Sequence, residues 1–315
     1  MLLPPILQLL FTSFEYPGIS IGHEAIRLHL FSGPVLITLI TNILATLTIV
    51  FLFSEPASLE QMKIQETLNK GKQSEKFESC SFGVKTMNFL KNPSFSWHLI
   101  SMICLAKVAI YASNATVTVV HSAWSQIAFG WSSSETVIKL TNAKIYLGIV
   151  SITITLVLFK LGKKIGDHVV LLICSLFILS HFIITYPMPE LATLTTPLYN
   201  ETTHGGCNEI EYSWCGARVG NSDVWVYSSV ALMVIAVQIA LVSSDAIFSN
   251  LLEKIDQSMM QGLLIVLSDA VQMIASMYSA DLFTRWGLEP LWILNIFISI
   301  FVVFVSIFYF KRFKL

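Results

Sequence analysis

The sequence predicts an all-α polytopic membrane protein, and three observations carry that prediction. Only 12% of the 315 residues are charged, while 54% are hydrophobic; a soluble domain carries roughly twice that share of charge. Mean hydropathy is +0.70. The apolar residues are also gathered into long unbroken runs. A soluble chain of this length would need far more Asp, Glu, Lys and Arg to cover its surface. The formal net charge of -1 supplies no basic field, so no nucleic-acid partner is expected. The same composition excludes a disordered chain and a disulfide-rich secreted scaffold.

The first apolar stretch, Leu2–Phe14, is too short to span. As a helix it reaches about 20 Å, against a hydrocarbon core of about 30 Å. Pro4 and Pro5 weaken its start, because proline lacks the amide a helix needs. No basic segment precedes it and no small-x-small site follows it, so it does not read as a signal peptide. It reads as half of a transmembrane helix, as though sequence were missing before Met1.

Seven stretches of spanning length follow: Leu28–Phe53, Trp97–Val120, Val137–Phe159, Val169–Tyr186, Val224–Ile247, Met259–Phe283 and Pro290–Phe310. Each is expected to be helical, since lipid offers the backbone no hydrogen-bond partner. None alternates as barrel strands do. Four segments result: 1–53 with the half helix and one span, 54–96 as a polar linker, 97–310 with six spans, and the basic tail 311–315.

Charge placement orients the spans. Six lysines sit in Ser54–Ser96, three more (Lys160, Lys163, Lys164) follow the third span, and Lys311, Arg312 and Lys314 follow the last. The positive-inside rule puts these segments, and the C-terminus, in the cytosol. The opposite loop Met188–Asp223 has five acids and only Arg218 as a base. It holds the sequon Asn200-Glu201-Thr202, making Asn200 a glycosylation candidate. Cys207 and Cys215 are close enough to bridge a small loop, or else they remain thiols. Glycan and disulfide both belong to the non-cytosolic side. Cys80, Cys104 and Cys174 fall on the cytosolic side or in spans and read as free thiols. The sequon at Asn114 lies inside a span and should stay bare.

No nucleophile–base set, metal-ligand spacing or phosphate loop is present, so neither an enzyme nor a cofactor or metal site is expected. Polar residues inside spans are the informative ones. Lys107, Tyr111, Asn114, Thr118 and His121 recur at spacings of four and three, which places them on one helix face. Asp269, Gln272, Ser276 and Ser279 form a second stripe. Asp245, with Gln238 two turns above it, is a third candidate. Charges within a bilayer usually face a wet cavity or a bundle interior. In that reading Lys107 attracts an anion and Asp269 is a proton-linked carboxylate. The bland alternative is an inert Lys–Asp pair with Ser, Thr and Gln as packing contacts. The aromatic residues Phe297, Phe301, Phe304, Phe308, Tyr309 and Phe310 read as lipid-facing surface.

The half helix and one span, the long charged loop and the six further spans together resemble helices five to twelve of the major facilitator superfamily. Lys164-Ile165-Gly166 matches part of that family's conserved loop between helices eight and nine. Asn200-Glu201-Thr202 followed by Gly206-Cys207 and Trp214-Cys215, Phe248-Ser249-Asn250-Leu251-Leu252, and Asp281-Leu282-Phe283-Thr284-Arg285-Trp286-Gly287 are similar to segments of the lysosomal branch associated with ceroid lipofuscinosis. An acidic residue expected in the seventh helix stands here as Tyr111. The resemblance implies the C-terminal six-helix half of a major facilitator fold plus one and a half preceding helices. It further implies alternating-access transport of a small solute or ion across endolysosomal membranes. The expected partners are the lipid bilayer, that solute, and a second chain if the other half is supplied in trans. The alternative is a truncated relative that transports nothing and serves as a partner or structural subunit.

Overall fold

A computed structural model describes residues 19–20, 27–28, 32–52, 97–188, 194–201, 205–252 and 257–310. The expected half helix Leu2–Phe14, the linker 54–96 with Cys80, and the tail 311–315 lie outside the described residues. Among the described residues the order is β1 (Ile19–Ser20), β2 (Arg27–Leu28), α1 (Ser32–Leu52), α2 (Trp97–Phe129), α3 (Ser133–Ile165), α4 (Asp167–Thr185), β3 (Leu194–Thr195), β4 (Arg218–Val219), α5 (Ser222–Ser228), a π segment (Ser229–Val234), α6 (Ile235–Leu252), α7 (Gln257–Trp286) and α8 (Glu289–Phe308). The segment Ser222–Leu252 is one continuous helix with the π turn inside it.

Six helices are long and apolar enough to cross a membrane: Trp97–Phe129, Ser133–Ile154, Asp167–Thr185, Ser222–Leu252, Met259–Trp286 and Glu289–Phe308. This is the make-up of an all-α polytopic membrane protein. The six coincide with the last six stretches expected from the sequence. The first expected span begins later than its apolar run: Leu28 pairs with Ile19 in an antiparallel ladder, and helix α1 starts at Ser32. The described apolar part of α1, Val35–Thr48, is shorter than the six. Its main contact is with β2, and Val35, Leu39, Ile43 and Val50 are exposed.

Several helices outrun their apolar stretches. Helix α2 continues past Val120 to Phe129 because packing there is carried by Trp124, Ser125 and Ile127, all buried. Its 33 residues reach about 50 Å, more than the hydrocarbon thickness. Helices α3 and α4 are separated by Gly166 alone, whose φ of 77° suits a residue without a Cβ. Ser132 caps α3 by accepting from the Glu135 amide at 3.2 Å.

Helix α2 is the axis of the bundle. It packs along α7 and also touches α6 and α8, while α4 fills the space between α6 and α8. The shared core includes Ile103, Ile110, Val120, Leu171, Phe182, Val237, Phe248 and Trp292. Where α2 packs on α7, small residues are buried on both helices, Ala115 and Thr116 on α2 and Ala275 and Ser279 on α7. Thr116 and Ser279 share a hydroxyl hydrogen bond of 2.9 Å, the close-approach contact typical of helices in lipid. Helices α3 and α7 are covered least. Val266, Met273, Ile274 and Met277 on α7, and Phe297, Phe304 and Phe308 on α8, form an exposed apolar surface, as a membrane contact requires. Tyr309 departs from the expected lipid-facing row: it is buried and hydrogen-bonded to His98.

One end of the bundle is covered by the segment following α4. Cys207 and Cys215 are joined by a disulfide. Trp214 lies over Trp124 and Phe283, with ring centroids 5.8 and 5.3 Å apart, and donates from Nε1 to the Thr284 carbonyl at 3.2 Å. Gly205 sits so close to the α2–α3 turn that a Cβ would come within 2.4 Å of the Gly130 carbonyl oxygen. Asn221 then starts α5 by accepting from the Asp223 amide at 2.7 Å. This cap and the six helices under it frame the polar residues described next.

A candidate site on the polar face of the bundle

Lys107 is almost fully buried in α2, with its ammonium group hydrogen-bonded to Asp245 of α6. The Asp245 side chain is 49% exposed. The pair is therefore a buried cation held by a carboxylate that looks outward. Tyr111, one turn along α2, has its ring centroid 6.0 Å from the Lys107 nitrogen, at the outer limit of a cation–π contact. Asp245 and Asp269 both lie within electrostatic reach of the Tyr111 hydroxyl. Lys107, Tyr111, Asp245 and Asp269 thus form one neighbourhood drawn from three helices.

Lys107 and Asp269 are the two charges the sequence sets at similar depth, yet the ion pair goes to Asp245. The reason is rotation about α7. Ser268, Ala275 and Ser279 make its packed face, and Asp269 is one residue further, about 100° around the helix. Asp269 consequently lies on the exposed side, and Gln272 is half-buried beside it. The α7 stripe divides by role: Asp269 and Gln272 look outward, while Ser279 is a packing contact to Thr116.

The α2 stripe divides as well. Tyr111 and Asn114 are half-buried and Thr118 is exposed, but His121 is buried. A repeat averaging 3.5 residues drifts by about 20° per heptad on a straight helix. By His121 the stripe has turned toward Trp225, whose ring stacks on the imidazole at a centroid distance of 5.3 Å and 16°. His121 therefore belongs to an aromatic stack rather than to the open polar face. Gln238 is exposed on α6, seven residues from Asp245 and so on the same face.

That aromatic stack was not legible in the sequence. Trp225 lies between His121 and Trp292, the second ring pair being 5.3 Å apart at 24°. Its Nε1 donates to Ser125 at 3.0 Å, and Ser125 donates to the His121 carbonyl at 2.6 Å. Trp292 repeats the pattern: Nε1 donates to Thr185 at 2.8 Å, and Thr185 donates to the His181 carbonyl at 2.6 Å. Among the described residues the buried Nε2 atoms of His121 and His181 have no hydrogen-bond partner. A cavity of about 300 Å³, lined by Trp124, Phe129, Thr185, Tyr186, Asn221 and Trp225, opens beside the stack.

Lys144 is the other residue the sequence reading passed over. It lies in the middle of the apolar helix Ser133–Ile154, and its signal was plain: a lysine deep in a spanning run. It is exposed, beside Gln238.

Asn200 is exposed at the edge of the cap, where its amide donates to the Gly205 carbonyl at 2.9 Å. Cys104 and Cys174 are free thiols within α2 and α4. Among the described residues no group of His, Cys, Asp and Glu is placed to hold a metal ion. Chemically, the polar face offers two carboxylates, one of them already neutralised by a lysine, together with amides and a phenol. That set can hold a polar solute and exchange protons. No protein-family model, curated protein or solved structure matches this chain.

Proposed function

We propose that the six helices form one wall of a transport path for a small solute or ion, working by alternating access. A single observation carries this reading: a polar face made by Lys107–Asp245, Asp269, Gln272 and Gln238 on an otherwise apolar bundle. A charge exposed to hydrocarbon costs about 2.5–3.5 kcal/mol even on the lenient scales. Asp269 and the outward half of Asp245 are tolerable only where water or a second polar surface covers them. A second chain, or another part of the same protein, would supply the facing wall. The resemblance to major facilitator transporters supports the same reading, and the segments similar to that family's lysosomal branch suggest endolysosomal membranes.

The test is access of water to the face. In a chain with its own cysteines outside the disulfide replaced, Asp269→Cys and Thr118→Cys are expected to react with a membrane-impermeant thiosulfonate from either side of sealed vesicles. Phe297→Cys on the lipid-facing side of α8 should react from neither. Asp269→Cys and Thr118→Cys reacting from one side only, or from neither, would overturn transport.

Orientation follows from the charge asymmetry: the disulfide-capped end faces away from the cytosol. In eukaryotic cells the chain is then expected to show a glycosidase-sensitive increase in mass that Asn200→Gln abolishes. An unchanged mobility after glycosidase treatment of the unmodified chain counts against this orientation.

A further inference from the structure

Lys144 occupies a groove where α3 leans on the π segment, lined by Lys144, Ser151, Gln238, Leu147, Val230 and Val234 and enclosing about 140 Å³. The π segment is the reason the groove exists. An i→i+5 turn widens a helix locally and interrupts its side-chain ridges, and such turns recur at functional positions. Helix α3 contacts α5 and the π segment, so the groove opens where the π segment passes into α6.

The charge balance of this groove is unusual. Lys107 is paired with Asp245, Lys139 with Glu135 and Arg285 with Asp281. Lys144, by contrast, has no hydrogen bond or ion pair among the described residues. No carboxylate among the described residues lines its groove. It sits at the middle of its span, where an uncompensated ammonium is expensive. His121, with its unpartnered Nε2, lies within electrostatic reach of it. The site is thus one cation, one amide, one hydroxyl and an otherwise apolar lining, with room for a few carbon atoms.

We propose that this groove binds a small monocarboxylate. The Lys144 ammonium takes the carboxylate, the Gln238 amide gives a second donor, and the short alkyl chain lies against Leu147, Val230 and Val234. A dianion would lack a second cation; a neutral alcohol would leave the lysine uncompensated. The assignment deepens the transport reading and rests on it, because water must reach the groove for a carboxylate to enter.

Radiolabelled hexanoate is the probe, titrated against the full chain in lipid nanodiscs with empty nanodiscs subtracted. Saturable binding is expected. Lys144→Gln should weaken it by at least about tenfold, the effect of removing a charged hydrogen-bond donor, whereas Lys144→Arg should keep it. Pentanoate should displace hexanoate; hexan-1-ol and hexylamine should not. Absence of saturable binding, unchanged affinity in Lys144→Gln, or displacement by hexan-1-ol as effective as by pentanoate would overturn the site. The competition is done on the unmodified chain, so it decides the matter even if Lys144→Gln fails to fold. Two-sided labelling of Asp269→Cys reports the transport reading separately: if labelling persists and hexanoate does not bind, only the Lys144 assignment falls.

Discussion

Asp245→Asn is expected to destabilise the protein by about 3 kcal/mol, the scale of an uncompensated buried charge. The counterpart Lys107→Met should cost much less, and the double variant should regain most of the loss. The asymmetry comes from burial. Lys107 is enclosed by α2 and its neighbours, whereas the Asp245 carboxylate is half open. Removing the carboxylate strands an ammonium that nothing else described in the structure neutralises. Removing the lysine leaves a carboxylate that reaches the polar face and its water. Replacing both deletes the charge problem outright, and a buried pair of this kind is often no better than an apolar one. Unfolding by SDS in mixed micelles, followed by circular dichroism, measures all three. Equal losses in the two single variants would mean that the pair is solvated from both sides.

Trp225→Ala carries the other large effect, about 3–5 kcal/mol, typical of a large aromatic removed from a packed core. Trp225 is 4% exposed and is held from both faces and at its edge. His121 and Trp292 stack on it, and Ser125 receives its N–H. Truncation leaves a cavity between α2, α5 and α8 and frees the Ser125 hydroxyl. Trp225→Phe keeps most of the packing and loses only the hydrogen bond, worth about 1 kcal/mol. The same unfolding measurement separates them. A loss below 1 kcal/mol in the alanine variant would show that the stack does not hold the end of the bundle together.

How much of this was legible beforehand depends on what kind of contact is involved. Span existence was, because twenty apolar residues in a row have no other use in a bilayer. Span ends were not. Ser125 and His121 look polar in sequence but are buried by Trp225, a partner a hundred residues away. The two polar stripes were visible as spacings, yet spacing cannot say which way a helix turns its face toward a neighbour. That is why Lys107 found Asp245 rather than Asp269, and why His121 left the polar face. Lys144 is a different case: a lysine in mid-span is a signal in itself, but it lies on α3 and belongs to neither stripe. The histidine–tryptophan relay could not have been read at all, since it joins α2, α4, α5 and α8 through hydroxyls of Ser125 and Thr185.

The π turn at Ser229–Val234 has a geometric consequence for the whole molecule. It lies between Trp225, which locks one end of its helix into the aromatic stack, and Gln238 and Asp245, which face the polar side. One extra residue in a helix shifts everything beyond it by about 100°. The turn therefore works as a phase adjuster. It sets the angle between the tryptophan at one end of the helix and the polar residues at the other about 100° away from the one an uninterrupted α-helix of this sequence would give.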